Sequence, residues 1–265
     1  MKSIKLKIIT LNCFDSPLSL NRIKRINKLI SEILILKPDI LCLQEITFSK
    51  TAYKLKNIFE LNELNVLFND DSVFNRGGLF VASSFPILKA EFDRFKDQGP
   101  LLSFQVTDRV MGKGFQKTTL LIDHKEVVLF NVHFACVYNN NSVKETETLR
   151  NQCNQLVNTI KKEKGDVIVC GDFNFSPVNE QYLNFLSSTK LIDSANASLV
   201  TVSMNNTNRQ GLYKIGANLK LDYIFISSNL SRDIGSQVVF DDLFNVENRR
   251  VHLSDHFGLL TRLNV

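Results

Sequence analysis

The stretch from residue 66 to 132 constrains the fold more than any other part of the chain. Short apolar runs at residues 79–83, 87–95, 101–107, 118–122 and 127–133 alternate there with turn signals: Asn75-Arg76-Gly77-Gly78, Phe85-Pro86, Gln98-Gly99-Pro100, Gly112-Lys113-Gly114 and Asp123-His124-Lys125. The gaps are too short for crossover helices, so these strands pair antiparallel and a purely parallel α/β fold is disfavoured. Around this meander the pattern is different. A strand at residues 4–13 precedes an amphipathic helix at 20–36, with Ile23, Ile26, Ile30 and Ile33 at helical spacing, and Lys37-Pro38-Asp39 stops that helix. A buried strand at 40–43 and a second helix at 51–61 follow. Beyond the meander come a long helix at 143–164, a strand at 167–170, a helix at 180–187, a polar loop or flap at 194–208, and strands at 221–226, 237–240 and 257–263. The order reads as two similar halves, each a sheet with flanking helices, which predicts a β-sandwich with helices outside.

One domain, residues 1–265, is the economical division, because no linker, repeat or like-charged tail interrupts the chain. With 44% hydrophobic and 22% charged residues it can bury a sizeable core. The net charge of +5 suits an anionic substrate but decides little, and Arg22, Lys24, Arg25 and Lys28 read as the solvated face of the first helix. The five cysteines form no CxxC, and Cys13, Cys42 and Cys170 lie in apolar runs, as in a reducing compartment. No apolar run is long enough to cross a bilayer, and the N-terminus reads as a strand and not a signal peptide. A cytoplasmic protein, or one exported without a signal peptide, is expected, and its Asn-, Lys- and Ile-rich composition suggests a bacterial source.

Five segments place polar groups at the ends of apolar strands: Leu11-Asn12, Leu43-Gln44-Glu45, Asn131-Val132-His133, Gly171-Asp172-Phe173-Asn174 and Ser254-Asp255-His256. A strand end can aim a side chain into a shared crevice while holding it rigid. Glu45 follows a buried strand, where a carboxylate must be paired or bound to a cation; Mg²⁺ with oxygen ligands from Glu45, Asn12 and Asp255 is one solution, and a Lys or Arg partner is the other. Two-residue periodicity puts Asp172 and Asn174 on one side of the chain and Phe173 on the inner side. Asp172 is then able to orient or deprotonate a water, and the Asn174 amide to donate to a phosphoryl oxygen. His133 and His256 supply imidazoles with Asp222 as an orienting carboxylate, whereas His124 and His252 sit beside turns and read as structural.

Taken in this order, the segments resemble the endonuclease/exonuclease/phosphatase superfamily over nearly the whole chain. The resemblance implies a four-layer α/β sandwich, with two mostly antiparallel sheets face to face, and Mg²⁺-assisted hydrolysis of a phosphoester, with Mn²⁺ as the substitute ion. It implies that Glu45 binds the metal, that Asn12, Asp172 and Asn174 complete the metal and phosphate shell, that Asp222 orients His256, and that His133 protonates or stabilises the leaving oxygen. AP endonucleases generally have Tyr at the His133 position, and inositol polyphosphate 5-phosphatases differ at Lys220-Leu221-Asp222-Tyr223. Neutral sphingomyelinases are similar at His133, at residues 220–223 and 253–256, and at Lys113-Gly114, which would touch substrate; Asp108 precedes it as their switch-region acid does. The expected activity is therefore a sphingomyelinase- or phospholipase C-like phosphodiesterase, a monomer acting on a lipid headgroup at a membrane surface. Phe92, Phe95, Leu101, Leu102, Met111 and Phe115 lie in or near turns beside the site, where apolar side chains are able to meet lipid, although core packing of the meander is the better account of most of them taken singly. The alternatives are a nuclease or phosphoinositide phosphatase of the same fold, and a binding protein that kept the scaffold without catalysis.

Overall fold

The computed structural model describes residues 5–17, 19–101, 106–138, 142–209, 216–230 and 232–264. Two six-stranded sheets pack face to face with helices on both outer sides. The first sheet runs β11(Arg232–Val239), β14(Gly258–Asn264), β1(Lys5–Asn12), β2(Ile40–Gln44), β4(Phe74–Ser83), β3(Asn65–Asp71). The second runs β5(Ile87–Arg94), β6(Gly114–Ile122), β7(Lys125–His133), β8(Asp166–Asp172), β10(Asp222–Ile226), β9(Ile192–Asp193). A small hairpin of β12(Phe244–Val246) and β13(Arg249–Val251) stands apart. Each sheet is antiparallel apart from one central parallel pair, β1–β2 in the first and β7–β8 in the second.

Three apolar layers hold the sandwich together. Ile8, Ile40, Cys42, Leu129, Ile168 and Ile224 fill the space between the sheets. On the outside of the first sheet lie α1(Arg22–Leu36) and α2(Ser49–Glu60), which bury Ile26, Ile30, Ile33, Leu55 and Phe59. On the outside of the second lie α4(Val143–Ile160) and α5(Glu180–Thr189), packed through Leu149, Leu156 and Phe185 against an aromatic cluster. The strands of each parallel pair are therefore covered on both faces, which explains the unbroken apolar runs in β2 and β8.

Some local expectations change. Ile23 is 62% exposed, and Leu29 takes its place in the apolar stripe of α1. Arg25 is not solvated but 1% exposed, because it falls on the same stripe as Ile26 and Leu29. In the stretch expected as a strand at 101–107, residues 102–105 lie outside the described residues and the chain is helical from Val106 as α3(Val106–Met111). That helix ends at Gly112, whose φ of +67° lets its N–H close a turn on the Arg109 carbonyl. Asn75-Arg76-Gly77-Gly78 is not a turn between strands but part of β4. Gly78 is required there, since a Cβ would stand 3.2 Å from the Glu45 Cα with φ at +66°. Phe95 and Phe115 are core residues, whereas Leu101 is 64% exposed. Leu102 and the Asp108 side chain lie outside the described residues.

Candidate active site

Parallel neighbours point the same way, so each parallel pair delivers the ends of two strands to one edge of its sheet. In the first sheet Asn12 stands in register with Gln44, and Glu45 leaves the strand with φ at 54°. In the second, His133 is in register with Asp172, and β10 starts antiparallel with Asp222 opposite Asp172. Packing the sheets face to face brings these edges together, and the turn before β14 adds Asp255 and His256. Glu45, Lys113, His133, Asp172, Asn174, Asp255 and His256 all line one cavity of about 460 Å³. Phe173, between Asp172 and Asn174, is fully buried, with the rings of Phe134, Phe185, Tyr223 and Phe225 between 5.0 and 5.5 Å away. The Asp172–Asn174 turn is thus pinned by an aromatic plug. Gly171, with φ at +149°, permits the approach, because a Cβ there would lie 1.9 Å from the Val132 carbonyl oxygen.

Asn12 links the two sheets. Its Nδ2 donates to Glu45 Oε1 at 2.9 Å and to Asp172 Oδ2 at 3.0 Å, and its Oδ1 accepts the Phe14 N–H at 3.1 Å. The expected oxygen ligand therefore faces the backbone. Between two carboxylates an amide N–H₂ satisfies both, whereas its oxygen would add a third negative end. Glu45 keeps 32% of its side chain open, and burial together with the nearby Asp255 charge lifts its carboxyl to about 7.

His256 Nδ1 lies 2.8 Å from Asp222 Oδ2, and its Nε2 is 3.7 Å from Asp172 Oδ2. Burial alone would lower its pKa, but Asp222, Asp172 and Asp255 outweigh burial and raise it to about 9. The other imidazole behaves in the opposite way. Lys113 Nζ sits 3.0 Å from His133 Nε2 and donates to the Phe134 carbonyl at 2.8 Å. An ammonium has only donors, so His133 Nε2 accepts and its proton resides on Nδ1. Burial, with Lys113 and His256 nearby, holds the His133 pKa well below the usual range. In this arrangement the charge expected on His133 is carried by Lys113 instead. Asn174 has a left-handed φ of 52°, its N–H donates to Asp172 Oδ1 at 3.0 Å and its Nδ2 to the Phe134 carbonyl at 2.9 Å.

Three features escaped the sequence reading. Arg209 Nη2 meets Asp255 Oδ2 at 3.1 Å while its Nε donates to the Asp255 carbonyl at 3.0 Å. Buried Arg25 donates to the carbonyls of Cys13, Phe14 and Leu253, joining the loop after Asn12 to the loop before Asp255. Beneath the site, Gln44 Nε2 donates to Asn131 Oδ1 at 2.8 Å across the sheets. A helical wheel of α1 could have found Arg25; nothing local marks Arg209. His252 is structural as expected, accepting the Thr207 N–H at 3.0 Å.

The donor set fits a hard divalent cation. Asp172, Asp222 and His256 form a tight trio, but His256 Nδ1 is committed to Asp222, so the trio is a hydrogen-bonded pair with a neighbour. Glu45, Asp172 and Asp255 instead line the cavity together, and burial with the Asp255 charge, which lifts the Glu45 carboxyl to about 7, makes its ionised form one that a bound cation would stabilise. Among the described residues no helix is long and apolar enough to cross a membrane.

A family model, the Endonuclease/Exonuclease/phosphatase family, matches residues 9–256. A Drosophila melanogaster protein that carries the name of a neutral sphingomyelinase is 24% identical over the whole of this chain, which spans 62% of that relative's length. An inositol phosphosphingolipids phospholipase C of Schizosaccharomyces pombe is 23% identical, again over the whole chain and over 69% of the relative. Similar solved structures include sphingomyelinase C from Streptomyces griseocarneus (TM-score 0.78, 17% identity, 98% of this chain and 99% of that one). They also include a Staphylococcus aureus beta toxin variant with bound magnesium ions (0.73, 17%, 97% and 99%) and D. rerio TDP2 with a single-strand DNA product (0.74, 18%, 98% and 99%). At such identities the structural likeness shows the fold alone: the four-layer sandwich.

Proposed function

We propose that this chain, which belongs to the Endonuclease/Exonuclease/phosphatase family, is a magnesium-dependent phosphodiesterase that hydrolyses the headgroup bond of a phospholipid, in the manner of a sphingomyelinase or phospholipase C. The observation that carries the reading is the Asp222–His256 pair, held 2.8 Å apart and facing Asp172, with Glu45 joined to Asp172 through Asn12. Asp222 fixes the imidazole by its Nδ1, so in the neutral ring, which a pKa raised to about 9 makes the minor form at neutral pH, Nε2 is the nitrogen that takes a proton from the attacking water. Asp172 orients that water from the other side. Glu45, with Asp172 and Asp255, would hold the cation, whose contribution when bound is to polarise the phosphoryl group and offset its charge. Lys113, braced on His133, places positive charge where the leaving oxygen departs.

Two observations favour lipid over nucleic acid. Both curated relatives are named for sphingolipid chemistry. In addition, the cavity mouth has an apolar rim that includes Phe48, Phe74 (41% exposed), Val110 (72%) and Tyr138 (47%). No disulfide joins any of the five cysteines, which suits a reducing compartment. The test is a panel of sphingomyelin, inositol phosphosphingolipid, phosphoinositide and plasmid or abasic DNA, each assayed with Mg²⁺ and with EDTA. Release of a phosphorylated headgroup from a sphingolipid, lost in EDTA and in His256→Ala and Glu45→Ala, is expected. DNA cleavage without any lipid turnover, or turnover indifferent to EDTA, would sink the proposal.

A further inference from the structure

The carboxylates of Glu45, Asp172 and Asp255 make the cavity wall acidic, and a phosphodiester is itself an anion. Beside a bound cation, basic side chains are the groups able to receive it. Among the described residues those lining the cavity are Lys113, His133, Arg209 and His256. Lys113 braces His133 and the Phe134 carbonyl, and His256 is engaged with Asp222. Arg209 is disposed differently. Its Nε and Nη2 hold the Asp255 carbonyl and carboxylate at 3.0 and 3.1 Å, and its Nη1 has no hydrogen-bond partner among the described residues.

This arginine is not a loose surface arm, for only 13% of its side chain is exposed. The segment leading to it is laced to the loop that carries Asp255. Asn206 Nδ2 donates to the Ser254 carbonyl at 2.9 Å, and Asn208 Nδ2 to the carbonyls of His252 and Ser254 at 2.9 and 3.0 Å. Thr207 and His252 exchange two further bonds, Thr207 N to His252 Nδ1 at 3.0 Å and His252 N to Thr207 Oγ1 at 2.9 Å. The guanidinium is thus ordered before any substrate arrives, so binding does not have to immobilise it. A planar guanidinium is also the side chain best shaped to hold a carboxylate on one edge and phosphoryl oxygen on another.

The geometry points to Arg209 as the residue that grips the substrate: Nη1 takes a non-bridging oxygen of the phosphodiester while Nε and Nη2 keep hold of Asp255. This inference rests on the phosphodiesterase reading above. It gives a role to the polar 194–208 stretch, which positions a cation beside His256 and is no mere connection between strands.

Binding of inorganic phosphate by calorimetry at saturating Mg²⁺ tests it, on the parent, Arg209→Ala, Arg209→Gln and Arg209→Lys, with the Mg²⁺ affinity measured separately without phosphate. Phosphate affinity is expected to fall roughly 10- to 100-fold in the Ala and Gln variants, the usual worth of a hydrogen bond to a charged group. Arg209→Lys should recover part of the loss, and kcat/KM on bis-p-nitrophenyl phosphate should fall in step, with guanidinium ion in solution rescuing Arg209→Ala. Unchanged phosphate affinity in folded Ala and Gln variants, with only the Mg²⁺ affinity altered, would overturn the assignment and leave Arg209 as a brace for Asp255. A parent that binds phosphate through Arg209 but cleaves no phosphodiester would instead refute the proposed function and leave the binding role standing.

Discussion

A site prepared for a cation should weaken the protein when the cation is absent, and Glu45→Gln measures by how much. Burial and the Asp255 charge lift the Glu45 carboxyl from 4.5 to about 7. Each tenfold change in a protonation equilibrium is worth about 1.4 kcal/mol, so the ionised form carries at most ~3.4 kcal/mol of penalty. With a third of the side chain open to the cavity, solvent screening leaves about 1–2 kcal/mol. The sign follows from the two states. Below 4.5 the group is protonated whether folded or unfolded and there is no penalty; it grows as the pH rises from 4.5 and is complete above about 7. Glutamine is neutral at every pH, and its oxygen still accepts from Asn12. In EDTA at pH 8, urea unfolding should therefore show Glu45→Gln more stable than the parent by about 1–2 kcal/mol, and at pH 4.5 the two should coincide. Added Mg²⁺ should raise the melting temperature of the parent and not of the variant. Equal midpoints at pH 8, or a gain that persists undiminished at pH 4.5, would refute the reasoning that Glu45 is held unpaired in place for a cation.

Asp222→Asn removes the strongest charge raising His256, so the acidic limb of the pH–rate profile should move to lower pH while kcat falls roughly 10³- to 10⁴-fold, as when a catalytic histidine loses its orienting carboxylate. A profile unchanged in shape would show that Asp222 does not act on His256. Phe173→Ala should cost about 3–5 kcal/mol in urea unfolding, because the ring is fully buried among five aromatic neighbours. A loss below about 1 kcal/mol would mean that the plug is not what anchors the turn. The double variant Phe74→Ser/Val110→Ser should lower turnover of sphingomyelin vesicles several-fold and leave soluble bis-p-nitrophenyl phosphate unaffected; equal losses on both would place these side chains inside the chemistry and not at a lipid-facing rim.

What the sequence made legible is what strands specify locally. Period-2 alternation put Asp172 and Asn174 on the cavity side with Phe173 inward, and apolar runs ending in Asn12, Glu45 and His133 marked the edges where the two parallel pairs stop. These features depend on a few consecutive residues, and the sandwich follows from their order. The site's electrostatics depend on contacts between distant segments. The His133 pKa is held down by burial and by Lys113, 20 residues away in sequence, and Asn12 turns its nitrogen inward because Glu45 and Asp172 converge from different sheets. Arg25 reads as a solvated charge until its place on the Ile26 and Leu29 stripe is noticed, and what the sequence does not show is that the carbonyls of Cys13, Phe14 and Leu253 receive the buried guanidinium. Arg209 is the extreme case. No periodicity marks it, and its place in the cavity is set by side-chain amides of Asn206 and Asn208 that find the carbonyls of His252 and Ser254 more than 40 residues on. Backbone patterning thus locates the acids and imidazoles at the strand ends. Lys113 and Arg209 reach the cavity through loops, and only the three-dimensional packing shows that one is engaged by His133 and the Phe134 carbonyl and the other by Asp255.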